Sequence, residues 1–154
     1  MGAPFGDLIG TSENTVVLAP ISVNATFDST AIDRKNWGAV YLTLSLGEVG
    51  AAFAADKYYT FILEDSDDNS TFTAVTDATA VHGTFEDIAT GLIVKVDDAT
   101  AHDNLAYPVE YVGKKRYVRI AAVKVSTPDA TIMGINTISH TPSMAGTTGL
   151  LGSN

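Results

Sequence analysis

The chain contains no cysteine among its 154 residues. Disulfide bonds and thiolate metal sites are therefore excluded, and stability has to come from a packed core or from association with other chains. Basic residues are also scarce, since nine lysines and arginines stand against eighteen aspartates and glutamates, for a formal net charge of −9. A surface of that sign repels nucleic-acid phosphates and anionic lipids, so we expect no nucleic acid and no membrane as partners.

Long apolar runs and catalytic motifs are missing as well. No stretch approaches the roughly 18 apolar residues that a membrane-spanning helix needs. The three histidines are far apart and have no zinc-ligand spacing, and no serine stands in a nucleophile elbow. The glycines near the C-terminus lack the spacing of a phosphate-binding loop. We therefore expect a non-enzymatic protein with no catalytic residues, no metal and no cofactor.

Short segments rich in β-branched and aromatic residues recur along the chain, with Gly, Pro, Asp or Asn between them. Their alternation predicts an all-β fold, an antiparallel sandwich or jelly roll of about 8 strands. The predicted strands cover residues 15–23, 37–46, 57–63, 71–75, 91–96, 107–111, 116–125 and 131–139. Glycine at position 47 is expected to end the second of them. The side chains predicted to form the core are Val40, Leu42, Leu44, Phe61, Leu63, Val118 and Ile120.

The two ends of the chain differ from its middle, because they are rich in small residues and lack alternation. We expect one β domain over residues 15–139, with a flexible N-terminal arm over 1–14 and a C-terminal tail over 140–154. Such ends are normally frayed, but they can also become ordered against a neighbouring subunit. Their large apolar residues are candidate partner contacts: Phe5, Leu8, Ile9, Leu150 and Leu151.

An acidic, polar turn is predicted between residues 63 and 71. Asp65, Asp67 and Asn69 occupy the first, third and fifth places of an EF-hand calcium loop. The sixth place holds Ser70 instead of glycine, and the twelfth holds Thr76 instead of glutamate. Asp, Asn and Ser also suit a hairpin turn, because their side chains bond nearby backbone groups. The sequence favours the hairpin turn and leaves a weak cation site open.

Five of the nine basic residues fall between positions 114 and 124. Alternation along this strand gives it one charged and one apolar face. The charged face has two interpretations: salt bridges within the domain, with Asp65, Asp67 or Asp68 as partners, or docking to an acidic protein. On the second interpretation the candidate partner-binding residues are Lys114, Lys115, Arg116 and Arg119.

Two segments resemble a known family. The turn S-D-D followed by S-T-F-T-A-V, in residues 63–75, and Y-V-G-K-K-R-Y-V-R-I, in residues 111–120, are similar to small β-rich virion proteins of tailed bacteriophages. With residues 37–47 they make up about a quarter of the chain. The resemblance implies a decoration, or cement, protein that binds the major capsid protein on the capsid surface of the virion and stabilises the head. It also implies a homo-oligomer, a trimer or dimer.

Other functions remain open at this stage. The segment K-V-S-T-P-D-A-T-I-M-G stands where the family has a shorter glycine turn, and the tail is longer than in the family. A head–tail joining or tail structural role therefore remains an alternative. A receptor- or glycan-binding β module is another, since such modules present rows of exposed aromatics. The candidates for that row are Tyr58, Tyr59, Tyr107 and Tyr111.

Overall fold

The computed structural model describes residues 12–140 of the chain, with side chains described over 15–137. Eleven β-strands, two short 3₁₀ turns and one four-residue helix form in this part. The strands are β1 (Ser12–Val23), β2 (Phe27–Asp28), β3 (Ile32–Asp33), β4 (Ala39–Val49), β5 (Tyr58–Ser66), β6 (Thr73–Ala74), β7 (Val81–Gly83), β8 (Leu92–Val96), β9 (Ala106–Tyr111), β10 (Tyr117–Val125) and β11 (Thr131–His140), and the helix is α1 (Ala99–His102).

The strands form two antiparallel sheets. The first has the order β1-β11-β4-β9-β7, and the second is built on β10 and β5. In the second sheet β2 and β3 pair with β10, whereas β6 and β8 pair with β5. Side chains from both sheets form one hydrophobic cluster, so the sheets pack face to face. The expected all-β antiparallel sandwich is confirmed, with eleven strands in the described part instead of about eight.

The core is made by the strand alternation that the sequence shows. On β4, Val40, Leu42 and Leu44 are fully buried, while Tyr41 between them is exposed. All seven predicted core residues are buried, with at most 1% of any of them exposed. The hydrophobic face of each central strand therefore decides which way the strand is turned.

The sequence indicated that Gly47 ends β4, and this was wrong. The strand continues to Val49. A Cβ at position 47 would lie 3.1 Å from the Cβ of Ile132, so glycine is the residue that lets the neighbouring β11 pack closely there. The strands β2, β3 and β7 were not predicted, because two or three residues are too short to show alternation. The predicted hairpin is present, with Asp65 of β5 opposite Thr73 of β6.

β1 lies at the edge of the first sheet, and within residues 12–140 no strand pairs with its outer side. Its pairing with β11 shifts register twice, between Val16 and Leu18 and again between Leu18 and Ile21. Pro20, which has no N–H to donate, lies within the second shift, between Leu18 and Ile21. The exposed edge is therefore bulged and interrupted.

Strand direction brings several connections to one end of the sandwich. Val40 at the start of β4 pairs with Tyr111 at the end of β9, and Tyr117 at the start of β10 pairs with Ser66 at the end of β5. Residues 34–38, 67–72 and 112–116 therefore lie at this end, which we call the basic end. Ser12 and His140 pair with each other there, so the segments 1–11 and 141–154 both join the described part at this end. The part of the chain that the structure describes contains no helix that is long and apolar enough to cross a membrane.

We predict that Leu44→Ala lowers the free energy of unfolding by about 2–5 kcal/mol, because it leaves a cavity between two packed sheets. Urea denaturation followed by circular dichroism measures the change. The matched control is Val123→Ala on the exposed side of β10, for which we expect less than about 0.5 kcal/mol. Equal losses in the two variants would contradict the assignment of Leu44 to the core.

Candidate partner-binding site

A buried arginine organises the basic end. Arg34 lies between β3 and β4 and is only 7% exposed. Its guanidinium donates to the carbonyl oxygens of Gly113 at 2.6 Å and Lys115 at 2.8 Å. It also donates to the carbonyl oxygen of Gly38 at 2.6 Å. Arg34 thus fixes the connection between β9 and β10 against the residues that lead into β4.

Tyr111 and Asp65 make a second set of contacts around this arginine. The Arg34 guanidinium lies 4.6 Å from the ring centre of Tyr111, whose hydroxyl donates to Asp65 at 2.7 Å. Burial, assisted by the hydrogen bond to Asp65, raises the pKa of Tyr111 above its ordinary value, so the phenol stays protonated and remains a donor. A Cβ at Gly113 would clash with the hydroxyl and ring of Tyr111. The loop can pass over this ring only because residue 113 is glycine.

Arg119 is paired inside the domain. Its guanidinium lies 2.7 Å from a carboxylate oxygen of Glu64 and 2.9 Å from one of Asp28. The ring centre of Phe72 lies 4.0 Å from the guanidinium carbon. The side chain is 21% exposed. Arg119 therefore lies among groups of its own domain on the outer face of the second sheet.

Arg116 and Lys115 also have acidic partners in the same domain. Arg116 donates two hydrogen bonds to Asp33, at 2.8 and 2.6 Å. This hydrogen bonding is the largest cause that lowers the pKa of Asp33 to about 2. The ammonium of Lys115 lies 2.9 Å from Asp65. Pairing within the domain was one of the two interpretations of the sequence, and it is present for three of the four candidates.

The partners of the two arginines differ from those that the sequence suggested, which were Asp65, Asp67 or Asp68. Asp68 instead closes the hairpin turn, because its Oδ1 accepts hydrogen bonds from the backbone N–H groups of Ser70 and Thr71. These bonds hold the pKa of Asp68 below its ordinary range, and the bond from Thr71 has the largest effect. Strand geometry, which places Glu64 directly opposite Arg119, decides the pairing.

The hydrogen bonds of the turn also bear on its EF-hand spacing. Asp65 is turned inward, where Tyr111 and Lys115 contact its two oxygens. Its carboxylate therefore does not point to the outside of the turn with that of Asp67, which is exposed. Among residues 12–140, no three His, Cys, Asp or Glu side chains are grouped as metal ligands.

Two lysines at the basic end differ from the other cations. Lys114, a predicted candidate, and Lys35 are exposed, and no carboxylate in the described residues lies within ion-pair distance of either ammonium. Both line a shallow depression of about 360 Å³, together with Trp37 and Arg34. The sequence did not indicate Lys35, because it lies 79 positions from Lys114 and no local pattern links the two.

The row of exposed aromatics that a glycan-binding module would need is absent at the predicted positions. Tyr59 and Tyr111 are fully buried. Tyr58 is half-buried beneath the ammonium of Lys95, which lies 4.3 Å from its ring centre. Tyr107 is half-buried, and its hydroxyl oxygen lies 2.8 Å from the Nδ1 of His102. Alternation turns Tyr59, Tyr107 and Tyr111 towards the core, whereas Tyr58, next to Tyr59, lies on the opposite face of β5 against Lys95.

The five apolar candidates in the terminal segments lie outside the described residues: Phe5, Leu8, Ile9, Leu150 and Leu151. Their role in partner binding stays a prediction.

Comparison with known proteins bears on the fold. No protein-family model and no curated protein matches the chain. Among solved structures, it is similar to the PBSX exported protein XepA, with a TM-score of 0.50 and 16% sequence identity. The match covers 93% of this chain but 41% of XepA, so the chain spans about two fifths of that protein's length. At this identity the likeness shows a shared fold alone.

We expect Arg34→Leu to lower the free energy of unfolding by about 3–5 kcal/mol, because three carbonyl groups lose their donor and Asp65 loses a nearby cation. Urea denaturation measures the loss, and amide hydrogen exchange should show faster exchange over residues 113–116. Lys35→Leu, at the exposed neighbouring position, is the control and should change stability by less than about 0.5 kcal/mol. Unchanged exchange in Arg34→Leu would contradict the role given to this side chain.

The ion pair of Asp33 and Arg116 predicts a pH effect. The folded pKa of about 2 lies below the ordinary 3.8, so the pair contributes stability above pH 4 and loses it between about pH 4 and pH 2. Both side chains are more than 40% exposed, so water screens the pair and its contribution to stability is small.

Titration by carboxyl-carbon NMR measures this pKa directly. In Arg116→Gln the pKa of Asp33 should return towards 3.8, whereas Arg119→Gln should leave it unchanged, because Arg119 has other partners. Identical titration of Asp33 in the wild type and in Arg116→Gln would disprove the coupling.

Proposed function

We propose that this chain is a non-enzymatic structural protein of a phage virion, a decoration protein that binds the outer surface of the capsid and stabilises the head. One observation carries the proposal: the exposed cations of the 112–116 loop lie at the same end of the sandwich as the junctions with both terminal segments. The basic loop and the two terminal segments, each a predicted partner contact, are therefore attached to one end of a rigid domain.

Three of the described polar side chains of this end have structural partners. Arg34, Tyr111 and Asp65 contact one another and the loop carbonyls, which suits a role in holding loops in place. The resemblance of residues 63–75 and 111–120 to virion proteins supports the phage assignment. The fold shared with the PBSX exported protein XepA supports it only at the level of architecture.

The geometry suggests how such a protein attaches. Two packed sheets form a stiff body, and the basic end presents exposed ammonium groups on a molecule that is acidic as a whole. Opposite charge on the capsid would then select this end and fix its orientation. The segments beyond Ser12 and His140 would add apolar contacts with the major capsid protein or with neighbouring copies in a homo-oligomer.

We predict that the purified protein cosediments with heads of its own phage that lack it, saturates at a fixed number of copies and raises the temperature at which the heads open. Binding should weaken as salt rises from about 0.1 M to about 1 M, because the screening length falls from about 10 Å to about 3 Å. Sucrose-gradient sedimentation and electron cryomicroscopy of the decorated heads measure these outcomes.

Heads of an unrelated phage serve as the control. Binding confined to tails or to the head–tail joint would replace the decoration role by a joining role. The absence of binding to any part of the particle would refute the virion proposal.

A further inference from the structure

We infer that the depression at the basic end is a carboxylate-binding site, with Lys35 and Lys114 as its cations and Trp37 as its apolar wall. Its occupant is an acidic segment of a partner protein. This inference deepens the proposed function and rests on it for the identity of the partner, but the site can be tested without the capsid.

The distribution of charge carries the first step. Lys115, Arg116 and Arg119 each lie within 3 Å of a carboxylate of their own domain, which neutralises much of their attraction for a partner. In the described residues Lys35 and Lys114 have no carboxylate within ion-pair distance, and Asp33 and Asp77 act on them only from farther away. The available positive charge of this end is therefore concentrated on two lysines that line one depression.

The rigidity of the walls carries the second step. One wall contains residues 113–116 and the other Arg34, Lys35 and Trp37, and the hydrogen bonds from Arg34 to Gly113 and Lys115 hold them together. A site whose backbone is already fixed loses less entropy when a ligand binds. Arg34 itself lines the depression, and its Nε is a buried donor without an acceptor in the described residues.

The surroundings decide the class of ligand. Asp33 and Asp65 lie beside the site through their contacts with Arg116 and Lys115. A nucleic acid carries a phosphate at every nucleotide and would be repelled by these groups and by the net charge of −9. An acidic peptide segment needs only one or two carboxylates at the lysines and can place an apolar stem against Trp37. The observations therefore favour a protein partner.

The chain supplies its own reporter, since Trp37 is its single tryptophan and lines the depression. Tryptophan emission of the full chain is titrated at low salt with a hexaglutamate peptide, with a hexaglutamine peptide and with inorganic phosphate. We expect saturable change with hexaglutamate alone. In the double variant Lys35→Gln, Lys114→Gln the dissociation constant should rise about tenfold.

Arg119→Gln is the matched control, because it removes one positive charge that is already paired. It should melt at a lower temperature than the wild type and bind hexaglutamate with unchanged affinity. Equal binding by the double variant and the wild type would overturn the site, and so would an equal response to hexaglutamine. Tighter binding of phosphate than of hexaglutamate would overturn the choice of a carboxylate ligand.

The two proposals fail in different ways. If heads bind the wild type and the lysine double variant equally, the site is wrong and the decoration role stands. If hexaglutamate binds at Lys35 and Lys114 but no phage particle binds the protein, the site stands and the decoration role is wrong.

Discussion

The basic end depends on one buried cation. Placing a guanidinium in the interior is costly unless its donors are satisfied and an opposite charge is near. The two terminal nitrogens of Arg34 meet this condition with three loop carbonyls, and the ring of Tyr111 and the charge of Asp65 lie near, while its Nε has no acceptor in the described residues. Because the carbonyls belong to two different connections, satisfying the arginine also sets their relative position. The exposed Lys35 and Lys114 lie on those connections, so the contacts of Arg34 also set where these two lysines lie relative to each other.

Ion pairs on the second sheet shape the potential more than they stabilise the fold. Pairs as exposed as Asp33 with Arg116 contribute little to stability in water. Their larger effect is to remove charge from the cations they contain, which leaves a small positive area on an acidic molecule. Such an area directs the approach and orientation of a partner, and the apolar contacts around it then determine how long the complex lasts.

Much of the fold, but only part of the site, could be predicted from the sequence. Alternation in β4 and β10 is local, so it identified the strands, their buried faces and the basic run. The ion-pair partners of Arg119 could not be read locally, because register places Glu64 opposite it across 55 positions of chain. Arg34 and Lys35 gave no signal, since an isolated basic pair in a loop is ordinary until the β9–β10 connection packs against it. The direction of Asp65 in the EF-hand spacing could not be read for a similar reason: strand β5 turns it inward.

The irregular edge of β1 has a consequence for solubility. A straight, unpaired strand offers its backbone to any similar strand and can start aggregation when many folded copies are concentrated together. In β1 the two register shifts and Pro20 break the regular sequence of donors and acceptors, so a second chain cannot pair along its full length. The irregular edge therefore lowers the tendency of concentrated copies to pair with one another strand to strand.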